Sequence, residues 1–206
     1  MTADIDIDTN TDSAAPPSEH RHVGAYVEML ISSLSGLVAS LILSIEAITL
    51  ATNPAAVLSC DISSKISCGV VAQTWQAQLF GWPNSFLGLI AEPVVITVAV
   101  AALGGVRFPR WFMLTAQAIY TLGFLFAWWL FYQSYFVIGA LCPWCLLITI
   151  TTTLVFMSMS RVNILDGNFG AGITRALTPA LSWWVDVWVS VLIIAALAAA
   201  VIFRYL

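Results

Sequence analysis

Charge is the scarcest property of this chain. Only 9% of its 206 residues are Asp, Glu, Lys or Arg, against about 25% in soluble domains. With 60% of residues hydrophobic, such a surface would aggregate in water, so the solvent is lipid. Histidine is nearly missing: His20 and His22 both precede the first apolar run. That excludes Ser/His/Asp catalysis and gives a Cys/His dyad no support. There is no Gly-rich phosphate loop and no Gly-x-Ser-x-Gly turn. No basic excess exists either. The net charge of −4 comes from an acidic start holding Asp4, Asp6, Asp8, Asp12 and Glu19. The remainder is near neutral, which excludes a nucleic-acid partner. No internal repeat is present, and the first residues lack the basic and apolar regions of a signal peptide. Cysteine is rare too: four occur, in two pairs.

What the chain has in quantity is long apolar runs. A spanning helix needs about 20 mostly apolar residues. Five segments qualify: about Val27–Leu50, Ser85–Leu103, Trp111–Phe136, Leu141–Met159 and Trp183–Phe203. The expected fold is an all-α membrane protein. A four-helix transmembrane bundle is joined by a fifth transmembrane helix, and an extracytoplasmic loop with a short helix caps the bundle. Residues 1–24 read as a disordered cytoplasmic tail, 25–160 as the bundle and 51–83 as the extracytoplasmic cysteine loop. Residues 161–182 read as a cytoplasmic loop and 183–206 as the fifth helix.

Basic residues set the orientation. Arg21, Arg107, Arg110, Arg161 and Arg175 fall on one side of a five-span chain, and Lys65 and Arg204 on the other. The N-terminus is therefore expected in the cytoplasm of a cell-membrane protein. Cys60, Cys68, Cys142 and Cys145 then all lie outside, where disulfides persist. Trp128, Trp129, Tyr132 and Tyr135 suit an outer aromatic belt, and Trp183 and Trp184 an inner one. The short connection near Gly139 makes spans three and four antiparallel neighbours. Val71, Trp75 and Leu79 make one helical stripe over Val70–Phe80 that would lie flat in the interface.

Cys142-Pro-Trp-Cys145 opens the fourth span. Pro143 suits the first helical turn. A sulfur at a helix N-terminus meets the positive end of the helix dipole, and thiol–disulfide exchange needs an anionic sulfur. A separation of three residues puts both sulfurs on one face, within reach of a disulfide. Cys60 and Cys68 flank a polar stretch, Asp61, Ser63, Ser64, Lys65 and Ser67. A pair on a mobile loop could meet a soluble protein and then swing to the pair held in the bundle. Lys65 is a candidate for favouring thiolate beside it. Two alternatives stand beside this reading: a metal site built from the two pairs, and inert structural disulfides. The first pair's seven-residue gap does not suit zinc, which prefers two to about four, so no metal is expected.

Asn84 sits where the second span begins. Local rules favour it as an N-cap, with a hydrogen bond to a ligand carbonyl as the second choice. Gly88 lets a backbone or a flat ring approach closely. Charged groups within spans are candidates by default. Glu46 lies near the cysteine loop, where it would position that loop, accept a proton, or simply be solvated at the interface. Glu92, before Pro93, lies on a plausible proton path, while Glu28 and Asp186 suit the interface.

Together these residues resemble the vitamin K epoxide reductase family in its bacterial form. The resemblance is carried by Cys60-Asp61, Cys68-Gly69, the segment Gly81-Trp82-Pro83-Asn84-Ser85-Phe86-Leu87-Gly88, and Cys142-Pro143-Trp144-Cys145. It covers about residues 25–160. It implies an enzyme that oxidises an extracytoplasmic thioredoxin-like protein and reduces a membrane quinone, thereby supporting disulfide bond formation. Menaquinone is the first expectation and ubiquinone the second. It implies that Cys60 exchanges with the partner, Cys68 relays to Cys142, and Cys145 faces the quinone. Asn84, Ser85 and Gly88 would join Cys145 around the ring, with Asn84 bonding a quinone oxygen. Many bacterial members carry a fused thioredoxin-like domain after span five; here the partner is expected to be a separate protein. Thr149 stands where animal members have Tyr, which puts an epoxide substrate in doubt, and Thr74 replaces a family Ser while keeping the hydroxyl. The disulfide bond formation protein B family also has two pairs in four spans, but in the reverse order. The reading from another class is a non-enzymatic membrane protein with structural or metal-binding cysteines.

Overall fold

The computed structural model describes residues 22–205. The expected tail lies outside the described residues except for His22–Gly24, and Val23 and Gly24 already belong to the first helix. Among the described residues there are seven α-helices and no strand. They are α1 (Val23–Thr52), α2 (Cys68–Ala72), α3 (Ser85–Leu103), α4 (Arg110–Tyr132), α5 (Pro143–Leu165), α6 (Ala171–Ser182) and α7 (Val185–Tyr205). A 3-10 turn at Trp75–Gln78 follows α2, and a π-helical turn at Gln133–Ile138 extends α4. Five of these helices are long and apolar enough to cross a membrane. The expected limits of α3 agree with the structure, while α1 and α5 run past theirs into polar residues.

In lipid, helix association rests on close packing rather than on a hydrophobic driving force. The sequence meets this with small residues on the buried face of α1: Ser33, Gly36, Ser40 and Ser44. A Cβ added at Gly88 of α3 would overlap the Ser40 side chain. Ser44 donates a hydrogen bond to Ser85 at 2.9 Å. One at Gly36 would come within 3.0 Å of Glu92 Oε1 and 3.1 Å of Thr151 Oγ1. So α1 lies tightly against both α3 and α5, and α5 also packs on α4. No comparable interface joins α3 to α4, and a seam is left on that side of the bundle. With 30 residues, α1 is about 45 Å long, well beyond the ~30 Å hydrocarbon core. Its last turns rise under the cysteine loop.

The end of the bundle away from the cysteines is fastened by polar groups. Asn163 donates to Gln117 at 3.0 Å, Asn168 to Asn163 at 2.8 Å, and Arg110 to the Asn168 carbonyl at 2.7 Å. Arg161 grips Asp186 at 2.7 Å and lies 4.9 Å over the Trp184 ring, tying α7 to α5. Asp186, expected at the interface, is paired there with Arg161.

Three expectations change. The Val70–Phe80 stripe is not one helix, because α2 ends at Ala72 and a separate 3-10 turn begins at Trp75. Gln73 and Thr74 interrupt it, and Val71 is buried while Trp75 and Leu79 are exposed. The segment 161–182 carries α6 in addition to the end of α5. Its Ile173, Leu177 and Leu181 recur at a four-residue spacing, a helical stripe on a segment of 12 residues, too short to span. Trp128 leaves the aromatic belt. Its indole N–H bonds Thr153 Oγ1 at 3.1 Å, three turns into α5.

Candidate functional site

The site begins with a carboxylate. Asp61 Oδ1 accepts from Ser67 Oγ at 2.6 Å and from Gly69 N at 2.9 Å, and its Oδ2 accepts from Leu58 N at 2.8 Å. Burial works against the Asp61 charge, but bonds from Ser67, Gly69, Leu58 and Cys68 outweigh it and hold the carboxyl below its usual range. The bonds wind the chain so that the residues on either side of the polar stretch meet. Cys60 and Cys68 close a disulfide there, with Cα atoms 5.7 Å apart.

A second fastening joins loop to bundle. Ile66 and Leu141 form a parallel β-bridge. Ser67 N donates to the Leu141 carbonyl at 3.0 Å, and Leu141 N donates to the Lys65 carbonyl at 2.8 Å. This bridge sits directly before Cys68 on one strand and before Cys142 on the other. The Cys142 thiol consequently lies 3.2 Å from Cys68 Sγ. Both sulfurs are buried, at 1% exposure each. No swing of the loop is needed, which differs from the expected mobile arm. Lys65 serves through its main chain; its side chain is exposed.

Cys142 is the N-cap of α5, and its sulfur accepts from Cys145 N at 3.3 Å. Pro143 takes the first helical position, as expected. Cys142 and Cys145 are free thiols, one turn apart, and both border a cavity of about 680 Å³ inside the bundle. That volume falls in the ~300–1,000 Å³ range of small-ligand sites. Its walls include Leu87, Ile90 and Val94 of α3 and Ile119, Leu122 and Phe126 of α4. These two helices flank the open seam, so the cavity adjoins the lipid side. Its polar lining includes Asn84, Thr74, Thr149, Glu92 and Tyr120.

The other predicted residues divide. Asn84 borders the cavity but does not cap α3: it has helical dihedrals and no capping bond. Its amide instead donates to the Gln76 carbonyl at 2.6 Å and accepts from Leu79 N at 3.2 Å. It therefore staples the 3-10 turn over the cavity mouth. Ser85 and Gly88 also border the cavity, yet their close contacts are to Ser44 and Ser40 of α1. The near approach that Gly88 permits is by a helix. Glu92 is buried without an ion partner among the described residues; Oε1 accepts from the Tyr120 hydroxyl at 3.3 Å and Oε2 has no partner. Gln76, Tyr120 and Ser59 escaped the sequence reading, since each is a lone polar residue with no motif around it.

The Asp61 cluster carries a prediction. Asp61→Ala leaves the Leu58 and Gly69 N–H groups and the Ser67 hydroxyl without their acceptor. The loss is about 1–2 kcal/mol, discounted because the carboxylate is partly exposed, and speeds local opening roughly fivefold to thirtyfold. Because folding lowers this carboxyl's affinity for protons, its contribution is complete above about pH 4, the ordinary Asp value. It is lost as pH falls through the lower folded value. Reduction of the Cys60–Cys68 bond by a water-soluble phosphine measures both: faster in Asp61→Ala at pH 6, and faster in wild type below that window.

Buried sulfurs in exchange contact above an apolar, lipid-bordered cavity define a membrane thiol oxidoreductase. The chain belongs to the vitamin K epoxide reductase family, whose model matches residues 27–160. That stretch holds all four cysteines and α1 to α5 but for the tips of α1 and α5; α6 and α7 lie beyond it. No curated protein matches the sequence.

Proposed function

We propose that this multi-pass membrane protein oxidises an extracytoplasmic thioredoxin-like dithiol protein and delivers the electrons to a membrane quinone. The observation that carries this reading is the 3.2 Å contact between Cys68 and Cys142 sulfurs. Exchange requires a sulfur able to attack a neighbouring disulfide sulfur, and inert bridges have no use for a buried free thiol in that position.

A partner thiolate attacks Cys60, and the Cys60–Cys68 bond breaks with its electron pair on Cys68. The partner's second thiolate displaces Cys60, so the partner leaves oxidised. Cys68 then attacks Cys142 of an oxidised Cys142–Cys145 pair, and Cys145 departs as thiolate. Cys60 attacks Cys68, which re-forms the loop disulfide and releases Cys142. Two electrons now rest on Cys142 and Cys145. A quinone, when bound, supplies an acceptor for two electrons and two protons.

The residues present fit such a molecule. The cavity walls are apolar, Cys145 borders them, and Glu92 Oε2 is a buried polar atom with no protein partner. Asn84 keeps one amide hydrogen beyond its bond to Gln76 for an acceptor in the cavity. Menaquinone is the first choice. Charge supports an extracytoplasmic place for the cysteines: Arg107, Arg110, Arg161 and Arg175 lie at the bundle end opposite them, the bias of cytoplasmic ends. The test is oxidation of a reduced thioredoxin-like protein by the purified membrane protein. Turnover is expected with menaquinone present and none without quinone. Quinone-independent oxidation, or none at all, sinks the reading.

A further inference from the structure

One carboxyl group touches the reacting sulfurs, and the relay above leaves it without a task. Glu46 stands on the last turns of α1, directly beneath the loop disulfide. It is buried, with 8% exposure, so solvation at the interface does not explain it. Its Oε1 accepts from Ser59 Oγ at 3.0 Å, and both carboxyl oxygens lie 3.4 Å from Cys60 Sγ. No cation pairs with it among the described residues. The titratable groups around it are Asp61 and the cysteines themselves, all of them anionic when ionised. While Cys60 is in a disulfide its sulfur carries no proton, so the two oxygens face a sulfur that cannot donate. On reduction the same geometry becomes an S–H···O hydrogen bond.

We propose that Glu46 is the acid–base partner of Cys60. The inference rests on the relay reading and adds the proton to it. When the partner's second thiolate displaces Cys60, the departing sulfur takes a proton from the Glu46 carboxyl, leaving a carboxylate beside a thiol. When Cys60 later attacks Cys68 within the Cys68–Cys142 mixed disulfide, it returns that proton to Glu46. The Cys60–Cys68 bond forms, the Cys68–Cys142 bond breaks, and its pair leaves on Cys142. Glu46 ends the cycle protonated, as it began. This matches the state described here, with the loop disulfide closed over a carboxyl that no cation neutralises. Two negative charges, on Glu46 and Cys60, are never required to face each other in this buried place.

The test uses full-length protein with a thioredoxin-like dithiol and menaquinone, comparing wild type, Glu46→Gln and Glu46→Asp from pH 6 to pH 9. Glu46→Gln is expected to lose roughly tenfold to a hundredfold in turnover at pH 6, a modest general-base effect. The loss shrinks toward pH 9, where hydroxide competes with the carboxyl as acceptor of the thiol proton. Glu46→Asp restores part of the rate at pH 6. The second readout needs no rate: acid-quenched Glu46→Gln protein accumulates the Cys68–Cys142 mixed disulfide, seen by mass spectrometry after proteolysis. An equal loss at every pH without that species overturns the proposal and leaves Glu46 a packing residue. Stoichiometric zinc on reduced wild type also overturns it, because Glu46, Cys60 and Cys68 offer ligand atoms within 4.8 Å of one another. If wild type itself shows no quinone-dependent turnover, the relay reading fails instead, and the two failures are distinguishable.

Discussion

Cys68→Ala is expected to lower oxidation of a protein dithiol at least ~1,000-fold, with quinone reduction by a small dithiol largely retained. The reason is the contact geometry. Cys68 Sγ lies 3.2 Å from Cys142, and it is the loop sulfur that reaches the bundle pair. Without it Cys60 is a lone thiol with no disulfide for a partner thiolate to attack, so no electrons pass inward. Dithiothreitol is small enough to reduce Cys142–Cys145 directly once the loop bridge no longer covers it. The measurement pairs two reductants on one variant, with partner oxidation read by mass shift and quinone reduction by ultraviolet absorbance. Protein-dithiol turnover near the wild-type rate would falsify the relay.

The second large effect is at the other end. Cys145→Ala abolishes quinone reduction with either reductant, so dithiothreitol brings no rescue. A lone Cys142 cannot close an intrapair disulfide, and so it cannot give up two electrons. The surviving Cys142 thiol still faces the loop bridge and attacks Cys68, leaving Cys60 free. Cys145→Ala protein therefore accumulates the Cys68–Cys142 cross-link, detected after cleavage as two peptides joined without reductant. Cys68→Ala cannot form that species. The two variants are thus separated by the rescue experiment and by the trapped bond, and neither result depends on the other.

Much of this architecture was legible in residues. Apolar run lengths placed five spans, because a bilayer imposes a length on a helix. Pro143 after Cys142 announced a helix start, and the structure puts that sulfur in the N-cap position. What escaped the sequence came from tertiary partners. Asn84 obeys no capping rule here because the Leu79 N–H, five residues upstream, occupies the side-chain oxygen that a cap would use. Glu46 looked like an interfacial anion until the loop folded Ser59 and Cys60 onto it. Trp128 had belt composition, yet Thr153 draws its indole into the bundle. The bridge at Ile66 leaves no mark in composition, since backbone pairing of two isolated residues needs no particular side chain.

That bridge acts as a ruler. One residue, Ser67, separates it from Cys68 on one side, and on the other Leu141 directly precedes Cys142. An extended residue adds about 3.3 Å, as much as the whole gap between the sulfurs. A single insertion between Ile66 and Cys68, or between Leu141 and Cys142, would put electron transfer out of range while leaving every cysteine in place.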